Sequence, residues 1–232
     1  RTDHHWTSLG AFYGANAIFE AMSLDPLDLD DYQKTTVTDQ FFGTTFSTSG
    51  VRWVAPDSID TYVSGEGLKV TSWFGSEPSE GSLYVDSFLE VKDKYSYFLG
   101  GRQPLCVIEN PQVDGPKVLV IRDSYSDSLA PFLTERFSEV HLFDPRNNLS
   151  SVKDYVADNG ACALLFLQFF HRPESFCSGA VISGPGHWDV PALFFSTRSD
   201  KIIPTGGEWH DKLGQQGAGG RPAVEAVRPS GG

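Results

Sequence analysis

The stretch from residue 117 to residue 146, KVLVIRDSYSDSLAPFLTERFSEVHLFDPR, decides the predicted fold. KVLVI and EVHLF are continuous apolar runs, which are typical of strands buried on both faces of a parallel sheet. SDSLAPFLTERF lies between them and predicts a helix, with Asp and Ser available as N-caps. The stretch therefore predicts a β-α-β unit.

Further elements extend this unit on both sides. LSSVKDYVADNG predicts a second helix ending at Gly160, and ACALLFLQF predicts a third strand, which completes β-α-β-α-β with right-handed crossovers. We therefore expect an α/β fold whose sheet is mostly parallel, with helices on both faces. Upstream, the patterns predict a helix over 8–23, strands within 32–46, 67–74 and 103–109, and a short helix in 86–101 that ends at Gly100 and Gly101.

Composition narrows the possible partners. The 232 residues are 40% hydrophobic and 13% aromatic, enough for a real core, and their net charge is −12. An acidic surface argues against nucleic acid and anionic membranes as partners. The sequence has no apolar run of eighteen residues and no signal peptide, so we expect no membrane contact. Because it begins with Arg1, we expect a fragment, whose missing start could have held a signal or an anchor.

The composition changes after residue 170. Residues 171–232 hold 11 Gly and 6 Pro and have no net charge, so the first 170 residues carry the whole −12. We predict one domain over 1–170, followed by a tail that is disordered or the product of a frameshift; a small fold is a third alternative. No function is assigned to the tail. The three cysteines, Cys106, Cys162 and Cys177, form no CxxC pair and are interpreted as buried, inert thiols.

Ser124 is the first hydroxyl after the first strand of the unit, in the sequence RDSYSDS. A serine at a strand-to-helix turn is exposed at the carboxyl edge of the sheet, where its own N–H can stabilise an oxyanion. The alternative is a helix N-cap, because Asp123, Ser124 and Ser126 all suit that role.

The opening residues, RTDHHWT, supply the groups that a serine nucleophile needs. In an extended segment Asp3 and His5 point to one side, and a carboxylate can orient the imidazole while Nε2 stays free as a base. Trp6 could wall the site, stack on a sugar or anchor the first helix. Two adjacent histidines rarely converge on one ion, so no metal is predicted.

These motifs resemble a known family. TDHHW, then KDKYSYFLGG, then VLVIRDSYSDSLAPFLTERFSEVHLFDPR is similar to the DHHW family and to the alginate O-acetylation proteins AlgX and AlgJ, over Arg1 to about Phe169. The resemblance implies a three-layer SGNH-hydrolase-like domain, with Asp3 as orienter, His5 as general base and Ser124 as nucleophile. It also implies substrate or oxyanion contacts, for which the candidates are Gly100, Gly101, Arg122, Tyr125 and Trp6. Arg122 departs from the pattern of SGNH enzymes, which usually have Gly before the Asp-Ser pair.

The function implied by this resemblance is acetyl transfer to, or ester hydrolysis on, a cell-surface or secreted polysaccharide. The partners would be a carbohydrate polymer and an acyl donor, with no cofactor and an extracytoplasmic location. The alternatives are a non-catalytic glycan-binding module, using Trp6, Trp53, Trp73 and Tyr125, and a structural surface domain.

Overall fold

A computed structural model describes residues 1–160 and three further strand segments, 163–167, 192–195 and 203–205. In these residues an eight-stranded sheet has the order β10-β9-β8-β6-β7-β5-β3-β4. Its strands are β3 (Lys69–Trp73), β4 (Pro78–Glu80), β5 (Leu105–Glu109), β6 (Lys117–Ile121), β7 (Glu139–Phe143), β8 (Ala163–Leu167), β9 (Ala192–Phe195) and β10 (Ile203–Thr205). A separate antiparallel pair is formed by β1 (Thr35–Phe41) and β2 (Asp57–Thr61).

The β-α-β-α-β unit is present as predicted. Strands β6, β7 and β8 are parallel neighbours, connected by α3 (Ser126–Leu133) and α4 (Val152–Asn159). Ser151 caps the start of α4, and Gly160 ends it in the left-handed conformation, with φ 64°. Both helix ends could be predicted from the sequence, because a serine side chain can accept a hydrogen bond from a backbone N–H at the start of a helix and a glycine can adopt the left-handed conformation at its end. Neither needs a contact with a distant segment.

The prediction of a mostly parallel sheet is wrong. Four of the seven neighbouring strand pairs in the described sheet are antiparallel, namely β10-β9, β7-β5, β5-β3 and β3-β4. The parallel unit lies in the middle of the sheet, the segments that precede it in the chain add β5, β3 and β4 as antiparallel strands, and β10 adds one antiparallel pair at the other edge. The direction of a strand relative to its neighbour depends on how distant segments of the chain pack together. A short apolar run predicts a strand but does not predict this direction.

Helices cover both faces of the sheet. Alternate residues of a strand face opposite sides, so Val118 and Val120 of β6 join the core beneath α1 (Ser8–Ala21) and α3, whereas Leu119 joins a smaller cluster beneath α4. The larger core also buries Phe12 and Phe132, whose rings meet edge to face. None of the helices in the described part of the chain is both long and apolar enough to span a membrane.

Two segments differ from the predicted elements. The β-branched pattern over 32–46 is a strand as far as Phe41 and then turns into the short helix α2 (Thr44–Ser49), with Gly43 as its N-cap. The predicted helix in 86–101 is two 3₁₀ turns, Asp86–Glu90 and Lys94–Tyr97. Both differences bear on the site described below.

Most of the tail prediction lies outside the described residues. Two short segments of 171–232 form β9 and β10 at the edge of the sheet, and the proposed disorder or frameshift stays a prediction. Cys106 is fully buried on β5, and burial raises the pKa of its thiol, as expected of an inert cysteine. Cys162 and Cys177 lie outside the described residues.

Candidate active site

The start of the chain meets the turn between β6 and α3. His5 Nε2 lies 2.8 Å from Ser124 Oγ, across 119 positions of sequence, and His5 Nδ1 lies 2.5 Å from Asp3 Oδ1. With Nδ1–H donating to the carboxylate, Nε2 is left to accept the Ser124 hydroxyl proton. The structure thus brings together the three residues that the sequence singled out, in the order Asp–His–Ser.

Contacts on both sides hold the opening segment in this position. The Thr2 N–H and hydroxyl donate to Asp57 Oδ2 at 2.5 and 2.7 Å. On the other side, Trp6 Nε1 donates to the Tyr125 carbonyl at 3.1 Å and lies 3.0 Å from Ser128 Oγ. Trp6 therefore connects the opening segment to Tyr125, the residue after Ser124, and to Ser128 in α3.

The Asp3 carboxylate is surrounded by donors. The His5 backbone N–H donates to Oδ1 at 3.0 Å, and the Thr44 backbone N–H donates to Oδ2 at 2.7 Å. Burial by itself would raise the pKa of Asp3, but the hydrogen bonds from His5 and Thr44 outweigh it and hold the pKa well below its ordinary value. The carboxylate is therefore ionised at neutral pH and able to stabilise a protonated His5.

Aromatic rings enclose the His5 imidazole. The Tyr95 ring stacks on it with a centroid distance of 3.8 Å and an interplanar angle of 1°, and the His4 ring lies 3.8 Å away. The Tyr95 hydroxyl donates to the Ser124 carbonyl at 2.9 Å. Burial raises the pKa of Tyr95 well above its ordinary value, so this hydroxyl keeps its proton. Tyr95 thus connects the imidazole and the serine turn.

The segment containing Gly100 and Gly101 runs beside the serine turn. Leu99, Gly100 and Gly101 all have positive φ, at 62°, 74° and 95°. Glycine adopts this region freely, but a leucine there costs about 1 kcal/mol, and such strain is concentrated at functional sites. Within residues 1–160 the backbone N–H groups of Ser124 and Gly101 have no hydrogen-bond partner, so both are free to donate to a substrate oxygen.

The remaining predicted contact residues face inward. The Arg122 guanidinium is 1% exposed and binds Asp127, Gln103 and the Gly101 carbonyl, so the structure places it behind the turn and away from a substrate. The Tyr125 hydroxyl donates to the His4 carbonyl at 2.5 Å, and the side chain is buried. Trp6 packs against α1, where a methyl group added at Gly14 would come within 2.9 Å of its ring.

Asp3, His4 and His5 also form a possible metal-ligand group, since one ligand atom from each lies within 4.8 Å of the others. Those atoms are engaged within the protein. His5 Nδ1 and the Thr44 N–H occupy the two Asp3 oxygens, and His4 Nδ1 lies 2.5 Å from Thr44 Oγ1. An ion would have to displace these contacts, and the absence of a metal stays a prediction.

Sequence reasoning missed several residues around the site. Gly43 lies so close to Asp3 that an added methyl group would come within 2.0 Å of Oδ2, and Thr44, Tyr95, Gln103 and Asp127 also contact the site or its support. The glycine-threonine pair after an apolar strand end was a usable signal of a helix N-cap, because both residue types suit that position. The other contacts have no local signature.

The family model described as "DHHW protein" matches residues 1–143, which is more than half of the chain. The chain belongs to the DHHW family. The matched region ends with β7 and includes Asp3, His5 and Ser124. The relation of this DHHW chain to AlgX and AlgJ stays a prediction, and no curated protein matches it.

Solved structures share the fold. A DHHW family protein from Eubacterium siraeum is 29% identical, with a TM-score of 0.64 over 72% of this chain and 57% of that one. Bacillus cereus PatB1 with a sulfonyl adduct is 21% identical, with a TM-score of 0.58 over 71% and 57% of the two chains. A second Bacillus cereus PatB1 structure is 20% identical, with a TM-score of 0.58 over 71% and 60%. The chain therefore spans less than two thirds of the length of these relatives.

Proposed function

We propose that this DHHW domain is a serine acyltransferase or esterase that uses Ser124, His5 and Asp3. The observation that carries the proposal is the unbroken hydrogen-bond chain from the Asp3 carboxylate through both nitrogens of His5 to the Ser124 hydroxyl. A helix N-cap role for Ser124 gives no reason for an imidazole at 2.8 Å from Oγ. A hydroxyl next to an oriented base is the arrangement that serine nucleophiles require.

The reaction proceeds in two displacements. Ser124 Oγ attacks the carbonyl carbon of an acyl ester while His5 Nε2 takes the hydroxyl proton, and His5 then returns that proton to the departing alcohol. The product is an ester on Ser124. A sugar hydroxyl or a water molecule attacks this ester, His5 takes the new proton, and Ser124 leaves with that proton restored to Oγ. Asp3 stays ionised throughout and stabilises the imidazolium.

The oxyanion formed at each attack is proposed to accept hydrogen bonds from the Ser124 and Gly101 backbone N–H groups. The Ser124 N–H lies just before α3, where the positive end of the helix dipole adds to the stabilisation. The positive φ at Gly101 allows a close approach of backbone to ligand.

We further propose a small acyl group, such as acetyl, and a polysaccharide acceptor outside the cytoplasm. The size of the acyl group also rests on the family resemblance, because Ser124 is not among the residues that line the small cavity beside Asp3, His5 and Tyr95. One of the two similar PatB1 structures carries a sulfonyl adduct, a product that nucleophilic side chains form. The acceptor and the location rest on the family resemblance.

The second candidate is a glycan-binding module without catalysis. Trp53 favours it, because this side chain is 85% exposed and an aromatic face can stack on a sugar ring. Trp6 and Tyr125 do not favour it, because their polar atoms already bind the protein.

The test is hydrolysis of p-nitrophenyl acetate by the 232-residue chain, with mass spectrometry for an acetyl group on Ser124. We expect turnover and an adduct that Ser124→Ala abolishes. Ser126→Ala is the matched control, because Ser126 lies in the same turn, and in the described structure its buried hydroxyl has no hydrogen-bond partner. Turnover that survives Ser124→Ala, or a folded wild type without any adduct, would overturn the proposal in favour of the binding module.

A further inference from the structure

A buried ion pair brackets the serine turn. Arg122 lies two residues before Ser124 and Asp127 three residues after it, and the two side chains are 1% and 4% exposed. Arg122 Nη2 donates to Asp127 Oδ1 at 2.7 Å. The pair thus joins the residue that follows β6 to the first turn of α3 and closes the turn that presents Ser124.

The same guanidinium reaches the neighbouring loop. Arg122 Nη1 donates to Gln103 Oε1 at 3.0 Å, and Nη2 donates to the Gly101 carbonyl at 3.2 Å. Gln103 Nε2 in turn donates to the Leu99 carbonyl. These bonds fix both ends of the Leu99–Gly100–Gly101 run, in which three successive residues have positive φ. The Gly101 N–H belongs to the peptide group between these two held carbonyls, so the bonds on both sides restrict its orientation.

Stability alone does not account for this arrangement. In the described structure Arg122 Nε is buried without a hydrogen-bond partner, which is an uncompensated cost. A buried ion pair is often no more stabilising than apolar residues of similar volume. What the charged pair adds is a fixed geometry, because the guanidinium fork sets directions for several acceptors at once.

We propose that Arg122, Asp127 and Gln103 form a positioning clamp, which holds the loop carrying Gly100 and Gly101 at a fixed position relative to Ser124. Its catalytic consequence rests on the proposed function above. Arg122 does not touch the substrate, and it acts by placing the Gly101 N–H opposite the Ser124 N–H for the oxyanion. The clamp gives a reason for an arginine where SGNH enzymes usually have a glycine.

The test is the double variant Arg122→Met/Asp127→Leu in the full chain, compared with wild type by hydrogen–deuterium exchange and by p-nitrophenyl acetate kinetics. We expect amide exchange in residues 99–103 to rise, kcat to fall about 100-fold and KM to change little, because a transition-state contact is lost. We expect the melting temperature to stay the same or rise. A purely structural pair would give the opposite pattern, with a lower melting temperature and unchanged kcat for the folded fraction.

Two further variants make the outcome decisive. Gln103→Leu removes the Gln103 bonds to Arg122 and to the Leu99 carbonyl, and it leaves the ion pair and the direct Arg122 bond to the Gly101 carbonyl in place. If the double variant does not fold, Gln103→Leu gives the same test, with a smaller expected rise in loop exchange. His141→Leu breaks a buried polar contact with Tyr155 on the opposite face of the sheet and should lower stability without changing kcat or exchange in 99–103. Unchanged loop exchange in the clamp variants would overturn the clamp, whatever the enzyme does. If the wild type shows no turnover, the proposed function is overturned. The hydrogen–deuterium exchange of residues 99–103 would still show whether the clamp holds the loop.

Discussion

At the scale of single residues, the site depends on one carboxylate with several donors. Asp3 accepts from the His5 ring, the His5 N–H and the Thr44 N–H, and these bonds fix both the ring orientation and its tautomer. His5 is the base because its Nδ1–H donates to Asp3 and leaves Nε2 free to accept the Ser124 proton. The neighbouring His4 instead lies against Thr44, which explains why only one of the two adjacent imidazoles reaches the serine.

The first prediction concerns this tautomer. Asp3→Asn retains the size of the side chain but offers His5 an amide that can stabilise the wrong tautomer. We expect kcat for p-nitrophenyl acetate to fall by about 10,000-fold, as when the acid of a comparable triad is amidated. Asp39→Asn, an exposed position on β1, is the control and should leave kcat unchanged. Equal activity of the two variants would show that Asp3 does not orient the base.

The second prediction concerns stability and pH. The folded-state pKa of Asp3 is lowered, so its stabilising contribution is complete above the unfolded pKa of about 3.9 and is lost as the pH falls towards the folded pKa. Thermal melts of wild type and Asp3→Asn should therefore differ most near pH 7 and converge below about pH 4. A difference that grows as the pH falls would contradict an ionised Asp3 in the folded state.

At the scale of elements, the short helix α2 supports the triad. Its first residue, Thr44, donates to Asp3, and its N-cap, Gly43, leaves room for the carboxylate. The sequence pattern extends the preceding strand through this point, because Thr and Phe favour strands. The helix forms here because its N-terminal N–H group finds an acceptor in Asp3, 41 residues away in the sequence.

The third prediction tests this close approach. Gly43→Ala would place a methyl group within 2.0 Å of Asp3 Oδ2, so the carboxylate must move. Because a displacement of about 1 Å in a catalytic group can cost about 100-fold in rate, we expect kcat to fall by that order. Gly75→Ala is the matched control, since an added methyl group there meets no atom within 4 Å. Full activity of Gly43→Ala would show that Asp3 is not fixed by α2.

At the scale of the whole molecule, the antiparallel half of the sheet builds the second wall of the site. Strand β5 runs antiparallel to β7, with Leu105 paired to Phe143, so the residues just before β5 lie at the carboxyl edge of β6 and β7. The Asp144 N–H donates to the Pro104 carbonyl at 3.0 Å at this edge. In a fully parallel sheet the start of β5 would lie at the opposite edge, far from Ser124. The feature that the fold prediction missed is thus the one that delivers Gly101 and Gln103 to the serine.

The fourth prediction concerns the tail. Asp3, His5, Ser124 and the contacts described around them all lie before β8, so deletion of 171–232 should leave the turnover of folded protein unchanged. The deletion removes β9, the parallel neighbour of β8, and an uncovered edge strand promotes association between chains. Activity assays and sedimentation velocity check both expectations. Loss of turnover in a monomeric, folded deletion variant would place a needed residue in the tail.

The sequence by itself determined the features that depend on near neighbours. The β-α-β-α-β order followed from apolar runs and helix signals, Ser124 from its place after a strand, and the pairing of Asp3 with His5 from their residue types and close spacing. The extended course expected for this segment is wrong, because the backbone bends at residues 3–5. Tertiary structure alone decided the strand directions of β5 and β3, the 2.8 Å contact across 119 residues, the Asp3 contact with α2 and the inward course of Arg122. The physical reason is range: periodicity and caps are satisfied within a few residues, whereas these contacts form only after distant segments have packed into one core.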